Sequence, residues 1–164
     1  MEIRPDIKVI QLDVQPDAQV MIGHAGFIKT VEDLYEAVAS AAPGIKFGVA
    51  FVEASGKRLI RSEGNDVGMQ NVAEKNAAAI NAGHTFIIAF KGAFPININN
   101  AIKSVPEVVS IFCSTANAIQ VVVAETAQGR SVLGIIDGLS GLGLEFEADR
   151  AERRKLVRDL GYKI

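Results

Sequence analysis

The chain has 164 residues, 49% hydrophobic and 22% charged, which is enough apolar material for one sizeable core and too much for a disordered segment. Seventeen Lys+Arg against nineteen Asp+Glu leave a net charge of −2, so the basic field that non-specific nucleic-acid binding requires is missing. A lone cysteine, Cys113, excludes an internal disulfide framework and a cysteine-built zinc cage. No apolar run approaches the ~18 residues of a membrane span, and Met1–Asp6 lacks the basic start and apolar block of a signal peptide. A cytoplasmic protein is expected, and its surplus of apolar residues predicts a homo-oligomer.

In chain order, Ile7 to Val14 and Ala18 to Ile22 read as strands. Thr30-Val31-Glu32-Asp33 matches a capping box, with the Thr30 hydroxyl as N-cap. Val31, Leu34, Tyr35, Val38 and Ala42 then mark one helical face, stopped at Pro43-Gly44. Lys46 to Ala54 and Lys57 to Ser62 predict a hairpin about Ser55-Gly56. Asn65-Asp66 caps a second helix running to about Asn81, with Gly83 as its stop. His84 to Lys91 holds the apolar run Phe86-Ile87-Ile88-Ala89-Phe90, the mark of a central strand. A short helix follows Pro95, then strands at Val108 to Cys113, Ile119 to Glu125 and Ser131 to Ile136, and a last helix over 147–160 with Asp149 and Arg153 as an i, i+4 pair. The expectation is an α/β protein of mixed α+β type: a mixed parallel and antiparallel sheet with covering helices, in one domain over residues 1–164.

Several segments carry candidate chemistry. Gly23-His24-Ala25-Gly26-Phe27-Ile28-Lys29-Thr30 places glycines and a cation ahead of a helix N-terminus, where backbone N–H groups and the dipole favour an anion. The same segment also reads as an ordinary strand-to-helix turn. The two histidines, His24 and His84, are structural edge residues or else a general base or nucleophile toward phosphorus. Asn97, Asn99 and Asn100 cluster amides suited to a purine edge, although Asn97 also suits an N-cap. Ser114, Thr115 and Asn117 end an apolar strand, where active-site loops often sit. Arg130 suits a phosphate clamp, and Glu125 or Asp137 a magnesium ion, with turn and cap roles equally open. Gly56-Lys57 is not a P-loop, because Phe51 and Arg58 stand where that motif needs glycine and Ser or Thr. Glycines 138, 141 and 143 suggest a mobile loop, and Arg150, Arg154 and Arg158 a solvated helix face.

Ile22 to Ala37, Pro43 to Leu59, Gly83 to Phe90, Phe94 to Asn100, Gly129 to Gly138 and the terminal Asp159 to Lys163 together resemble the adenosine-specific kinase family. The resemblance implies an α/β fold, a trimeric or larger assembly, adenosine or an adenine nucleotide as ligand, and phosphoryl transfer from ATP with Mg2+. By this likeness Lys29 and Arg130 neutralise phosphate, Gly23 and Gly26 frame the loop, Asn97, Asn99, Asn100, Ser114 and Thr115 hold the substrate, and Glu53, Glu125 or Asp137 hold the metal. Family members commonly carry Gln-x-His-Phe-Ile-Lys-Thr, whereas this chain has His24 at the glutamine position and Gly26 at the histidine position. The catalytic set expected is therefore His84, His24 and Lys29. A non-catalytic adenosine or AMP sensor is the alternative.

Overall fold

A computed structural model describes residues 2–164. The strands are β1 (Asp6–Gln11), β2 (Gln19–Ala25), β3 (Lys46–Val52), β4 (Ile60–Gly64), β5 (Thr85–Lys91), β6 (Val108–Thr115), β7 (Ile119–Glu125) and β8 (Arg130–Asp137). The helices are α1 (Thr30–Ala41), α2 (Val67–Ile80), α3 (Pro95–Lys103) and α4 (Glu147–Asp159). Five strands form one sheet in the order β4-β3-β5-β2-β6, and three form a second in the order β1-β7-β8.

The apolar periodicities assign the layers. On one face of the larger sheet, Met21, Phe47, Val49, Phe51, Phe86, Ile88 and Phe90 meet Leu34 and Val38 of α1 and Ile98 and Ile102 of α3. On the other face, Val20, Ile22, Ala50, Val52, Ile87 and Ala89 meet Val72, Ala73, Ala77 and Ile80 of α2 and the inward Ile119, Val121 and Val123 of β7. β5 is buried on both faces, which is why its sequence is a continuous apolar run.

The strands do not form the expected mixture of parallel and antiparallel pairs. Every hydrogen-bonded strand pair among the described residues is antiparallel. β2 and β3 do run in the same direction, as a crossover through α1 demands, but β5 lies between them and opposes both. The protein is α+β, with parallel strand directions and no parallel ladder.

Three local expectations also change. The Thr30 hydroxyl donates to the Phe27 carbonyl at 2.7 Å and accepts the Phe27 N–H at 3.1 Å, so it pins the preceding loop and makes no cap bond within α1. α2 keeps its expected N-cap, Asp66 accepting from Met69 N–H at 3.0 Å. It stops at Asn81, which takes the left-handed conformation at φ 48°. Gly83 serves close approach instead: a Cβ there would lie 2.9 Å from the Ala54 Cβ. In α4, Asp149 accepts the Phe146 N–H at 2.8 Å, and Arg153 pairs with Glu145 at 2.7 Å rather than with Asp149. No helix among the described residues is long and apolar enough to cross a membrane.

Candidate functional site

β2 and β3 finish at the end of the large sheet where β5 begins, and His24, His84, Glu53 and Arg61 gather there. His24 is paired with Thr85 at the end of β2. His84 is the residue just before β5. Their rings lie 6.0 Å apart, edge to face. His84 also stacks on Phe51 of β3, with centroids 5.7 Å apart and planes 17° from parallel. Its backbone sits at φ 62°, a left-handed conformation costing of order 1 kcal/mol or more for a side-chain-bearing residue. Two bonds hold it there: its N–H donates to the Val52 carbonyl at 2.7 Å, and its carbonyl accepts the Ala25 N–H at 3.0 Å. A surface imidazole held in such a pose by its surroundings is a candidate functional residue.

Gly26 makes the room that the pose needs. A Cβ on Gly26 would stand 3.2 Å from His84 Nδ1, so the space a side chain at 26 would enter is filled by the ring of His84. Glu53 follows β3 and places Oε1 3.8 Å from His84 Nε2, while its Oε2 pairs with Arg61 at 3.2 Å. Arg61, directly across the ladder from Phe51, also reaches the Ile28 carbonyl at 3.4 Å. One carboxylate and one guanidinium thus link the imidazole pair to the loop ahead of α1. Partial burial, and then the neighbouring His84, hold the pKa of His24 below the usual 6.5, so its ring is neutral at pH 7 and can accept a proton.

The loop itself is open, with Phe27 and Ile28 57% and 63% exposed. Lys29 is engaged within it: its ammonium contacts the Asp33 carboxylate and lies 3.6 Å from Glu107 Oε2. The Asp33 contact raises the Lys29 pKa and lowers that of Asp33. The cation is thereby matched by two carboxylates. Gly26 N–H donates to the Glu107 carbonyl at 3.1 Å, which fixes the loop to the chain entering β6.

Other residues singled out in the sequence lie elsewhere. Gly23 is enclosed, for a Cβ there would fall 2.2 Å from the Phe86 ring and 2.6 Å from the Ser110 carbonyl. Asn97 accepts the Phe94 N–H at 2.8 Å, a capping role. Asn99 buries an unpartnered Oδ1, and Asn100 is exposed with its carbonyl accepting the Ser104 hydroxyl. Ser114 buries an unpartnered hydroxyl in β6. Thr115 and Asn117 both donate to Asp137 Oδ1 at 2.9 Å. Thr115 stands opposite Val20, near the start of β2. Phe94, ahead of α3, and Asn117 line a cleft of about 610 Å3 with Gln15 and Asp17. That end of β2 is about 17 Å from His24 at the usual rise per strand residue, so within one chain these groups do not meet the imidazole pair. Burial, and then Asp137, push the Cys113 thiol up to about 11, away from the thiolate form.

Arg130 begins β8 and ties the smaller sheet to α2, donating to Glu125 at 2.6 Å and to the Ala79 and Ile80 carbonyls at the end of α2. Lys8, at 2.8 Å, and Arg130 hold the Glu125 carboxyl below its usual range. Glu53, Glu125 and Asp137 thus belong to three separate clusters. Among the described residues no group of three or more His, Cys, Asp or Glu is placed to hold a metal ion. The donor set therefore builds no cage of its own for Mg2+.

Sequence reasoning missed Arg61, Phe51 and Glu107. Arg61 becomes visible only through the β3–β4 register and Phe51 through the β3–β5 register, and nothing local marks Glu107.

Comparison with known proteins bears on the fold and the family. No curated protein matches the chain. The crystal structure of PH1918 protein from Pyrococcus horikoshii OT3 is similar, with 44% sequence identity, a TM-score of 0.94, and coverage of 98% of this chain and 99% of that one. Residues 10–163 match the family described as adenosine specific kinase. Because the match spans nearly the whole sequence, the chain belongs to the adenosine-specific kinase family.

Proposed function

We propose that this protein binds adenosine or an adenine nucleotide at the end of the large sheet and transfers a phosphoryl group to it from ATP. The observation that carries this reading is the strained, Phe51-stacked His84 beside a neutral His24, next to an exposed loop, in a member of this family. Exposed Phe27 offers a face on which a purine can stack. The acceptor hydroxyl gives its proton to the neutral His24 ring as its oxygen bonds to the terminal phosphorus. The bridging P–O bond breaks, and the diphosphate leaves with the electron pair. His84 and Glu53 orient the acceptor, and Arg61 holds Glu53 in place. A magnesium ion, carried by the nucleotide phosphates, would offset charge there, with Glu53 the carboxylate nearest the imidazoles.

A second reading is a non-catalytic adenosine or AMP sensor. It is favoured by one observation: Lys29, Arg61 and Arg130 are all matched by carboxylates. An assay with ATP and adenosine, following ADP release, separates the two. The transferase reading expects adenosine-dependent turnover in the wild type and its loss in His24→Ala. Calorimetric binding of adenosine with no ADP release at any Mg2+ concentration would leave the sensor.

A homo-oligomer is part of the proposal. The segment after β8 is apolar yet uncovered, and α4 buries no residue. Leu142, Leu144 and Phe146 are 105%, 92% and 79% exposed. Apolar side chains in such density need a partner surface.

A further inference from the structure

The phosphate-bearing half of this reaction needs positive charge that is not already spent, and the loop ahead of α1 does not supply it. Unspent charge is found on the other side of Glu53. Between the β3–β4 turn and the β7–β8 turn lies a cleft of about 930 Å3, within the range of small-molecule sites. One wall carries Lys57 and Arg58, and the facing wall carries Thr126, Gln128 and Arg130. Lys57 and Arg58 enter no ion pair among the described residues. Arg58 is held at φ 52°, a left-handed pose closed by its N–H bond to the Ser55 carbonyl at 3.1 Å. Arg130 is fixed by Glu125 and the α2 carbonyls, so it presents a rigid guanidinium.

The lining holds these three cations and a single carboxylate, Glu53. Glu53 is already matched by Arg61 and faces His84 at 3.8 Å with its other oxygen. The cleft and the imidazole pair are therefore neighbours that share one side chain.

We propose that this cleft is the site of the phosphoryl donor, taking the polyphosphate chain of a nucleoside triphosphate on Lys57, Arg58 and Arg130 with its terminal phosphate directed toward Glu53. The inference rests on the transferase reading for its biological sense, but the anion site is defined by the cleft alone. Lys57 and Arg58 offset part of the charge of a triphosphate, and Arg130, whose own charge Glu125 already balances, adds guanidinium N–H donors. They are far too few for a nucleic-acid track on a chain of net charge −2.

Inorganic tripolyphosphate is the probe, titrated calorimetrically into the full chain. Three proteins are compared: wild type, Lys57→Ala/Arg58→Gly, and the control Lys46→Ala/Lys91→Ala. The glycine keeps the positive φ of the turn. The control removes two cations that face each other in the β3–β5 ladder away from the cleft. The expected result is at least tenfold weaker tripolyphosphate binding in Lys57→Ala/Arg58→Gly, none of that loss in the control, and equal adenosine binding in all three. Absence of wild-type binding, or equal weakening in both variants, overturns the inference. Undiminished ADP release at limiting ATP by Lys57→Ala/Arg58→Gly would also overturn it while leaving the transferase reading standing. Tripolyphosphate binding that depends on Lys57 and Arg58, in a wild type that turns over no adenosine, supports the anion site and removes the transferase reading instead.

Discussion

His24 is the residue whose protonation the account depends on, and its environment fixes the sign of a pH effect. Burial, followed by His84, lowers its folded pKa below 6.5, so the unfolded chain takes up the proton first as the solution is acidified. The contribution to stability is whole above about pH 6.5 and is lost as the pH falls through the depressed folded value. Urea midpoints measured between pH 7.5 and 5 should therefore decline more in the wild type than in His24→Gln, and identical profiles would contradict the assignment. His84 separates function from stability differently. Asparagine tolerates the left-handed backbone that this position requires. His84→Asn should unfold within about 1 kcal/mol of the wild type while turnover falls by about a hundredfold or more, the usual worth of a positioned acid–base or orienting group. Unchanged turnover in the coupled assay would remove His84 from the reaction.

At the scale of elements, what was legible in the sequence followed from local physics. Continuous burial wrote β5 as an apolar run, the α1 face was written as Leu34 and Val38 at helical spacing, and Asp66 announced α2. Strand order was not legible, because the insertion of β5 between β2 and β3 is a long-range choice that no local pattern records. The site was half legible for the same reason. His24, His84, Gly26 and Lys29 were visible as unusual residues near strand ends, but Arg61 depends on the β3–β4 register. The amides of α3 looked apt for a purine, yet the direction of β5 carries them to the opposite end of the sheet. Gly23 and Gly26 are close in sequence, but Gly23 lies within β2 under Phe86 while Gly26, just past the end of β2, faces His84. Gly23→Ala should accordingly destabilise the fold by about 1–3 kcal/mol or more, through overpacking against Phe86 and the Ser110 carbonyl. Denaturant unfolding with an unchanged midpoint would contradict that packing.

For the whole molecule, the uncovered residues after Asp137 determine the expectation. A chain of 17.5 kDa that leaves Leu142, Leu144 and Phe146 in water gains by burying them against another copy, at about 25 cal/mol per Å2 of apolar surface. Sedimentation at micromolar concentration should show a multiple of 17.5 kDa for the full chain and a smaller species when residues 139–164 are removed. A full chain that sediments as a single copy would contradict the assembly.

Whether adenosine sits against the two imidazoles is decided most directly by crystals soaked with adenosine. The account predicts purine density beside Phe27, with a ribose hydroxyl within hydrogen-bond reach of His24 or His84. Adenosine density confined to the far end of β2, beside Asn97 and Asp137, would contradict it.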